Sequence, residues 1–368
     1  MLLIIALCIP LCNAQALSVS ATAAVLYHPD TGEVLYSRNM NKTMTMASTT
    51  KIMTGLILCE TGNLDKIVNV TDKMIYIEGT SIGLRKGDKI SRLCLLYGLL
   101  LESGNDAANA IAIDVAGTTE RFAQLMNKKA AEIGMTGTNF VTPSGLDAKE
   151  HYTTAYDMAL LSAAAMKNEM FSKVVGTKSY KAVYNEGNTY RTYSNHNRLL
   201  NSLEGADGIK TGFTKKSGRC LVSSCTKDGL QLIAVTLNAP DDWNDHKALY
   251  NYGFGEYEKV TLGGRFTVKP VLVAGGTKSS VAVKNDAISL YMKKGTAAKV
   301  TYVIELPAFV YAPVNVGDTI GQVKFLCDNK VIATSPFTAT EKSDIILAEQ
   351  ENLLDRIINW FLILISIK

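Results

Sequence analysis

The chain has 368 residues, which suits two domains with short terminal additions better than one core. Lysine and arginine total 38 against 34 aspartate and glutamate, with no long block of one sign, so electrostatics gives no support to a nucleic-acid role. A hydrophobic content of 47% with eight prolines describes a folded chain and excludes pervasive disorder.

At the N-terminus, residues 2–11 form an apolar run interrupted only by Cys8 and Pro10. Small-residue sites acceptable to a signal peptidase follow at Cys12-Asn13-Ala14 and Ala14-Gln15-Ala16. The run is too short to span a bilayer, and no lysine or arginine precedes it. Residues 1–16 are therefore expected to be a signal peptide of atypical form. Leu7 and Leu11 stand where a lipoprotein site needs a small residue before Cys8 or Cys12.

Strand-like runs at 23–27 and 33–37 flank Pro29-Asp30-Thr31-Gly32, strong turn chemistry that predicts a hairpin. Helical periods follow over 49–60, 93–101, 106–115, 119–133 and 155–167. Strands are expected again at 208–213, 220–225 and 230–237, then a helix over 242–252. Strands at both ends with a mostly helical middle predict an α+β fold: an antiparallel sheet built from the two extremes of residues 17–258 and flanked by helices.

From about 259 the texture becomes that of a small all-β sandwich reaching to 342. Short β-rich runs at 266–268, 271–273, 281–283, 300–304, 320–323 and 330–333 are broken by Gly263-Gly264, Gly275-Gly276 and Gly317. Within the terminal segment 343–368, Leu353, Leu354, Ile357, Ile358 and Phe361 share one helical face. A helix over 353–367 would be about 22 Å long at roughly 1.5 Å per residue, short of the roughly 30 Å hydrocarbon core. An amphipathic helix lying in a membrane surface is expected; docking on its own β domain is the alternative.

Beyond the signal, Cys59, Cys94, Cys220, Cys225 and Cys327 form an odd, scattered set with neither disulfide nor C-x-x-C logic. His28, His151, His196 and His246 lie far apart, so no metal site is expected.

Three motifs carry possible chemistry. Ser48-Thr49-Thr50-Lys51 places a hydroxyl and an amine one helical turn apart. A serine is a poor nucleophile until a base takes its proton, and lysine can be that base only when burial or neighbouring cations lower its pKa. The bland alternative is a helix cap with a solvated lysine. Ser103-Gly104-Asn105 sits between two helices, where Ser103 could relay a proton and Asn105 could hold both an ammonium and a carbonyl; a capping turn reads equally well from these residues. Lys210-Thr211-Gly212 lies on a strand that could add a substrate backbone at its edge. Lys210 and Thr211 would meet a carboxylate, and Gly212 would permit close approach; otherwise it is an exposed strand with a glycine bulge.

In the order S-x-x-K, S-x-N, K-T-G, each on a fitting element, the three together match the signature of penicillin-binding proteins and class A β-lactamases. The chain resembles the low-molecular-mass penicillin-binding proteins that are D-alanyl-D-alanine carboxypeptidases. The likeness includes Thr80-Ser81-Ile82-Gly83-Leu84, Thr142-Pro143-Ser144-Gly145-Leu146-Asp147, Gly208-Ile209-Lys210-Thr211-Gly212-Phe213-Thr214 and Asn251-Tyr252-Gly253-Phe254, and spans roughly 20–340. The resemblance implies a secreted enzyme at the outer face of the cytoplasmic membrane, without cofactor, that trims peptidoglycan stem peptides ending in D-Ala-D-Ala and is acylated by β-lactams. It implies Ser48 as nucleophile, Lys51 as its proton acceptor, Ser103 as relay and Asn105 as the group orienting Lys51 and substrate. Lys210 and Thr211 would bind the terminal carboxylate, with the N–H groups of Ser48 and Phe213 as the oxyanion hole. His151 and Asp157 fall in similar text without a mechanistic need, and a structural role is expected for both. The segment Trp243-Asn244-Asp245-His246-Lys247 lacks an arginine that many members carry nearby.

A β-lactamase would need a deacylating base. Glu150 is the candidate by spacing, but the residue four further on is Thr154 instead of the asparagine of class A enzymes. Transpeptidase or endopeptidase action would use the same cleft with a different amine. A catalytically silent wall-binding protein is the reading of another class.

Overall fold

The computed structural model describes residues 17–264 and 266–346, together with 357, 358 and 362. The chain divides into two compact units between Glu256 and Tyr257. The expected signal peptide, residues 1–16, lies outside the described residues, as does most of the expected terminal helix.

The first unit is built on a five-stranded antiparallel sheet. The hairpin Ala23–His28 and Glu33–Arg38 forms one side, Ala23–His28 pairs onward with Leu230–Leu237, then comes Gly218–Lys227, and Ala206–Thr214 is the far edge. Gly32 closes the hairpin with φ +74°, its N–H donating to the His28 carbonyl at 2.9 Å. The strand Ala23–His28 is buried along its whole length because both faces of the sheet are covered. Val25 and Tyr27 belong to the same core as Ile52 and Met53 on one face. On the other face the helix Asp242–Gly255 packs closely, since a Cβ at Gly253 would lie 2.5 Å from the Leu26 side chain.

The helical middle packs around Lys51–Thr61, which is buried over Lys51 to Leu58. Such all-round burial explains its weak amphipathicity. Around it stand Arg92–Leu100, Asn105–Ala116, Thr119–Ile133 and Ala155–Met166, in agreement with the sequence periods. A second sheet of four strands, Ile67–Asn69, Lys89–Ser91, Ser179–Tyr184 and Thr189–Ser194, was not expected. Its strands are short or rich in Ser, Thr, Lys and Tyr, with apolar contact confined to one face through Ala182, Tyr184 and Tyr193.

The second unit is a β domain. Tyr257–Leu262 pairs with Ile288–Lys293, while Val271–Ala274 lies between Ser280–Val281 and the parallel Phe309–Tyr311. Val283–Asn285, Lys330–Ala339, Thr319–Cys327 and Thr301–Glu305 form a four-stranded sheet. Val323, Phe325 and Phe337 make one small core. The expected strand at 266–268 is absent. Phe266 instead puts its ring against Tyr302, Phe325 and Phe337, at centroid distances of 4.7, 6.1 and 6.3 Å, so the apolar run fills the core without joining a ladder.

Candidate active site

The three motifs converge. Ser48 lies in a 3-10 turn, Ala47–Thr50, that leads directly into the helix Lys51–Thr61. Lys51 therefore opens the helix with its side chain fully buried. Its Nζ stands 2.9 Å from Ser48 Oγ, 2.7 Å from Asn105 Oδ1 and 2.6 Å from the Ser144 carbonyl oxygen. A neutral amine has two N–H bonds and one lone pair. The two carbonyl oxygens can only accept, so they take both N–H groups and leave the lone pair facing the Ser48 hydroxyl.

Burial, first, and the charge of nearby Lys210, second, hold the Lys51 pKa well below the usual lysine range, against an opposing effect of Asp106. Lys210 is also buried, and loss of hydration brings its pKa down to about 7. Its Nζ donates to the Thr211 carbonyl at 3.0 Å.

Ser103 occupies the interhelical loop at φ +63°, a conformation that a non-glycine residue adopts at a cost. The loop is braced from outside. Asn105 Nδ2 donates to the Glu78 carbonyl at 2.6 Å, so its two ends join Lys51 to the 78–84 segment. The buried Asp106 carboxylate accepts from Ser81 Oγ and from the backbone N–H groups of Ile82 and Leu84, at 2.6, 2.9 and 3.0 Å.

Lys210, Thr211 and Gly212 lie on the edge strand Ala206–Thr214, which pairs within its sheet only with Gly218–Lys227. A Cβ at Gly212 would sit 3.1 Å from the backbone nitrogens of both Ser48 and Thr49. Glycine therefore leaves the Ser48 N–H uncovered beside the edge. Phe213, next along, is 66% exposed.

Sequence reasoning gave no role to the loop 142–146, although it contributes the Ser144 carbonyl to Lys51 and the Pro143 carbonyl to Thr54 Oγ1 at 2.6 Å. Gly145, at φ +84°, presses on the turn that carries Ser48: a Cβ there would fall 1.9 Å from the Ala47 carbonyl oxygen. A glycine flanked by Ser144 and Leu146 was the available signal. Asp157 is structural, as expected, accepting from the Gly137 N–H and Thr138 Oγ1 at 2.8 and 2.6 Å. Arg219, opposite Phe213 in the register, is paired with Asp242 at 2.7 Å. Among the described residues no three His, Cys, Asp or Glu side chains gather as a metal site.

Both units match known protein families. The profile of the D-alanyl-D-alanine carboxypeptidase family matches residues 11–241, and that of the penicillin-binding protein 5 C-terminal domain matches 257–344. D-alanyl-D-alanine carboxypeptidase DacF of Bacillus subtilis is 34% identical over 88% of this chain and 86% of its own. The crystal structure of the D-alanyl-D-alanine carboxypeptidase DacD from Francisella tularensis superposes with a TM-score of 0.63 at 28% identity, covering 89% of this chain and 95% of that one. Penicillin-binding protein D2 from Listeria monocytogenes, in its ampicillin-bound form, gives 0.59 at 28% identity over 65% of this chain and 99% of its own. With a serine, two buried lysines and a strand edge brought close together and these matches running through both units, the chain belongs to the D-alanyl-D-alanine carboxypeptidase family of serine peptidases.

Proposed function

We propose that Ser48 removes the terminal D-alanine from peptidoglycan stem peptides through an acyl-enzyme. The observation that carries this reading is the Lys51 amine, buried, with its pKa lowered by that burial, and 2.9 Å from the Ser48 oxygen. A peptide ending in D-Ala-D-Ala lies along the edge Ala206–Thr214, its terminal carboxylate on Lys210 and Thr211. Lys51 takes the Ser48 proton as Oγ attacks the penultimate carbonyl, and the N–H groups of Ser48 and Phe213 receive the oxyanion. The proton then passes from Lys51 by way of Ser103 to the departing amine. The C–N bond breaks, D-alanine leaves, and the shortened peptide is esterified to Ser48. Water, activated by Lys51, hydrolyses the ester and restores the hydroxyl. β-Lactams enter the same cleft as carboxylate-bearing amides and acylate Ser48.

The reading extends to the rest of the chain as follows. The unit ending at Glu256 is the peptidase domain, and the unit beginning at Tyr257 is a β domain. Residues 1–16 direct secretion, and the apolar face within 343–368 attaches the protein to the outer surface of the cytoplasmic membrane. Support for the attachment comes from the sequence pattern; among the described residues no helix is long and apolar enough to cross a membrane.

The test is release of free D-alanine from a peptide ending in D-Ala-D-Ala, by wild type and by Ser48→Ala. Release by the wild type alone is expected. Release by the variant, or none by the wild type with such peptides, overturns the assignment.

A further inference from the structure

His151 is buried at 4% exposure and lies 101 residues along the chain from the turn it touches. Its Nδ1 accepts from the backbone N–H of Val141 at 2.9 Å and, more weakly, of Thr142 at 3.4 Å. An acceptor nitrogen carries no proton, so the proton of the neutral ring is on Nε2. Nε2 faces Thr50 Oγ1 at 2.9 Å, and the Thr50 hydroxyl in turn donates to the Ala47 carbonyl at 2.9 Å. Every bond in this chain has one consistent direction: Val141 N–H to imidazole, imidazole N–H to Thr50, Thr50 O–H to Ala47.

Both ends of the chain reach the reacting groups. Ala47 immediately precedes Ser48 and is held at φ +48°, a conformation that costs free energy and needs external support. At the other end, Val141 and Thr142 open the loop whose Ser144 carbonyl accepts from Lys51. His151 thus ties the turn bearing the nucleophile to the loop that orients its base. The backbone beside it is stitched to the segment leading into that turn, with Met44 and Thr153 exchanging N–H···O bonds at 2.8 and 2.9 Å.

We infer that His151 is a positioning residue for acylation, setting the distance and angle between Ser48 and Lys51 through Thr50 and the 141–144 loop, without touching substrate. The inference rests on the reading of Ser48 as nucleophile and Lys51 as base. Ground-state binding of the substrate carboxylate lies at Lys210 and Thr211, on a different element, so the effect belongs to the chemical step and not to binding. Glutamine can present an N–H near the place of Nε2, whereas leucine keeps bulk and removes both bonds.

The test measures the acylation rate constant and the pre-covalent dissociation constant with a fluorescent penicillin, alongside thermal midpoints, for the full chain. His151→Leu should acylate about 30- to 100-fold more slowly at unchanged pre-covalent affinity, as expected for a reacting pair displaced by up to about 1 Å. Thr50→Val should behave like it, and His151→Gln should recover to within about threefold of wild type. Equal rates in wild type and Thr50→Val overturn the inference, as does a loss confined to affinity or a His151→Gln as slow as His151→Leu. Thr50→Val and His151→Gln decide the matter even where His151→Leu does not fold. Failure of the wild type itself to be acylated at Ser48 would instead refute the underlying reading of the site.

Discussion

At Lys51 a cation has lost its water without gaining a carboxylate in hydrogen-bond contact; its partners are a hydroxyl and two carbonyl oxygens. That environment favours the free amine, which is the state that can accept a proton. Lys51→Arg should therefore abolish acylation, by about a thousandfold or more, because a guanidinium stays protonated at any working pH. A fluorescent-penicillin time course checks it, and near-normal labelling would contradict a lysine base. In the proposed mechanism Lys210 has the complementary task and needs its proton to hold a carboxylate. With its pKa at about 7, KM for a D-Ala-D-Ala peptide should rise as pH climbs above 7, while kcat does not fall, because burial already favours the free amine at Lys51. A pH series of both constants tests this, and a KM flat from pH 6 to 9 would show that Lys210 does not titrate in the free enzyme. The side chains proposed to do the chemistry could be picked out in the sequence, because S-x-x-K, S-x-N and K-T-G advertise those groups. The main-chain carbonyls of Ser144 and Glu78 were not, since any residue type can supply a carbonyl. Nor was the tie from His151, whose partner is about a hundred residues away.

Among the elements, the nucleophile turn depends on what presses against it. Gly145→Ala would drive a methyl into the Ala47 carbonyl at a backbone angle that favours glycine, and should destabilise the fold by about 2–4 kcal/mol. Denaturant melting checks this; a loss below about 0.5 kcal/mol would mean the two loops separate freely. The sheet and its helices respond to acid chiefly through two of the three buried imidazoles. His246 lies between Ser223 Oγ and Thr236 Oγ1 at 2.7 and 3.0 Å, and burial lowers its pKa to about 3; burial likewise lowers His151 to about 4. In the unfolded chain both titrate near 6.5. The unfolded state therefore binds more protons below that pH, so the stability due to the neutral rings is complete above 6.5 and drains away as pH falls toward 4 and then 3. Urea midpoints should decline through this window, and His246→Asn should flatten part of the decline; an unchanged slope in the variant would contradict it. The hairpin and the long helices could be read from turn chemistry and apolar period. The 3-10 turn at Ser48 and the polar strands Ser179–Tyr184 and Thr189–Ser194 could not, because their stability comes from tertiary contacts and not from local pattern.

On the scale of the whole molecule, Ser48, Lys51, Ser103, Asn105 and Lys210 all belong to the first unit, and the second unit has its own cores. The Listeria protein, matched over 99% of its own length, corresponds to only 65% of this chain. The α+β sheet fold and the β domain were legible in the sequence, whereas Phe266 shows that an apolar run can serve a core without becoming a strand. The claim on which the mechanism rests is that a single hydroxyl, at Ser48, becomes covalently acylated. Intact-mass and peptide-mapping measurement after incubation with benzylpenicillin addresses it directly. One penicilloyl group per chain, located on the peptide containing Ser48 and missing in Ser48→Ala, is the predicted result; an adduct on another residue, or an unmodified wild type, would contradict it.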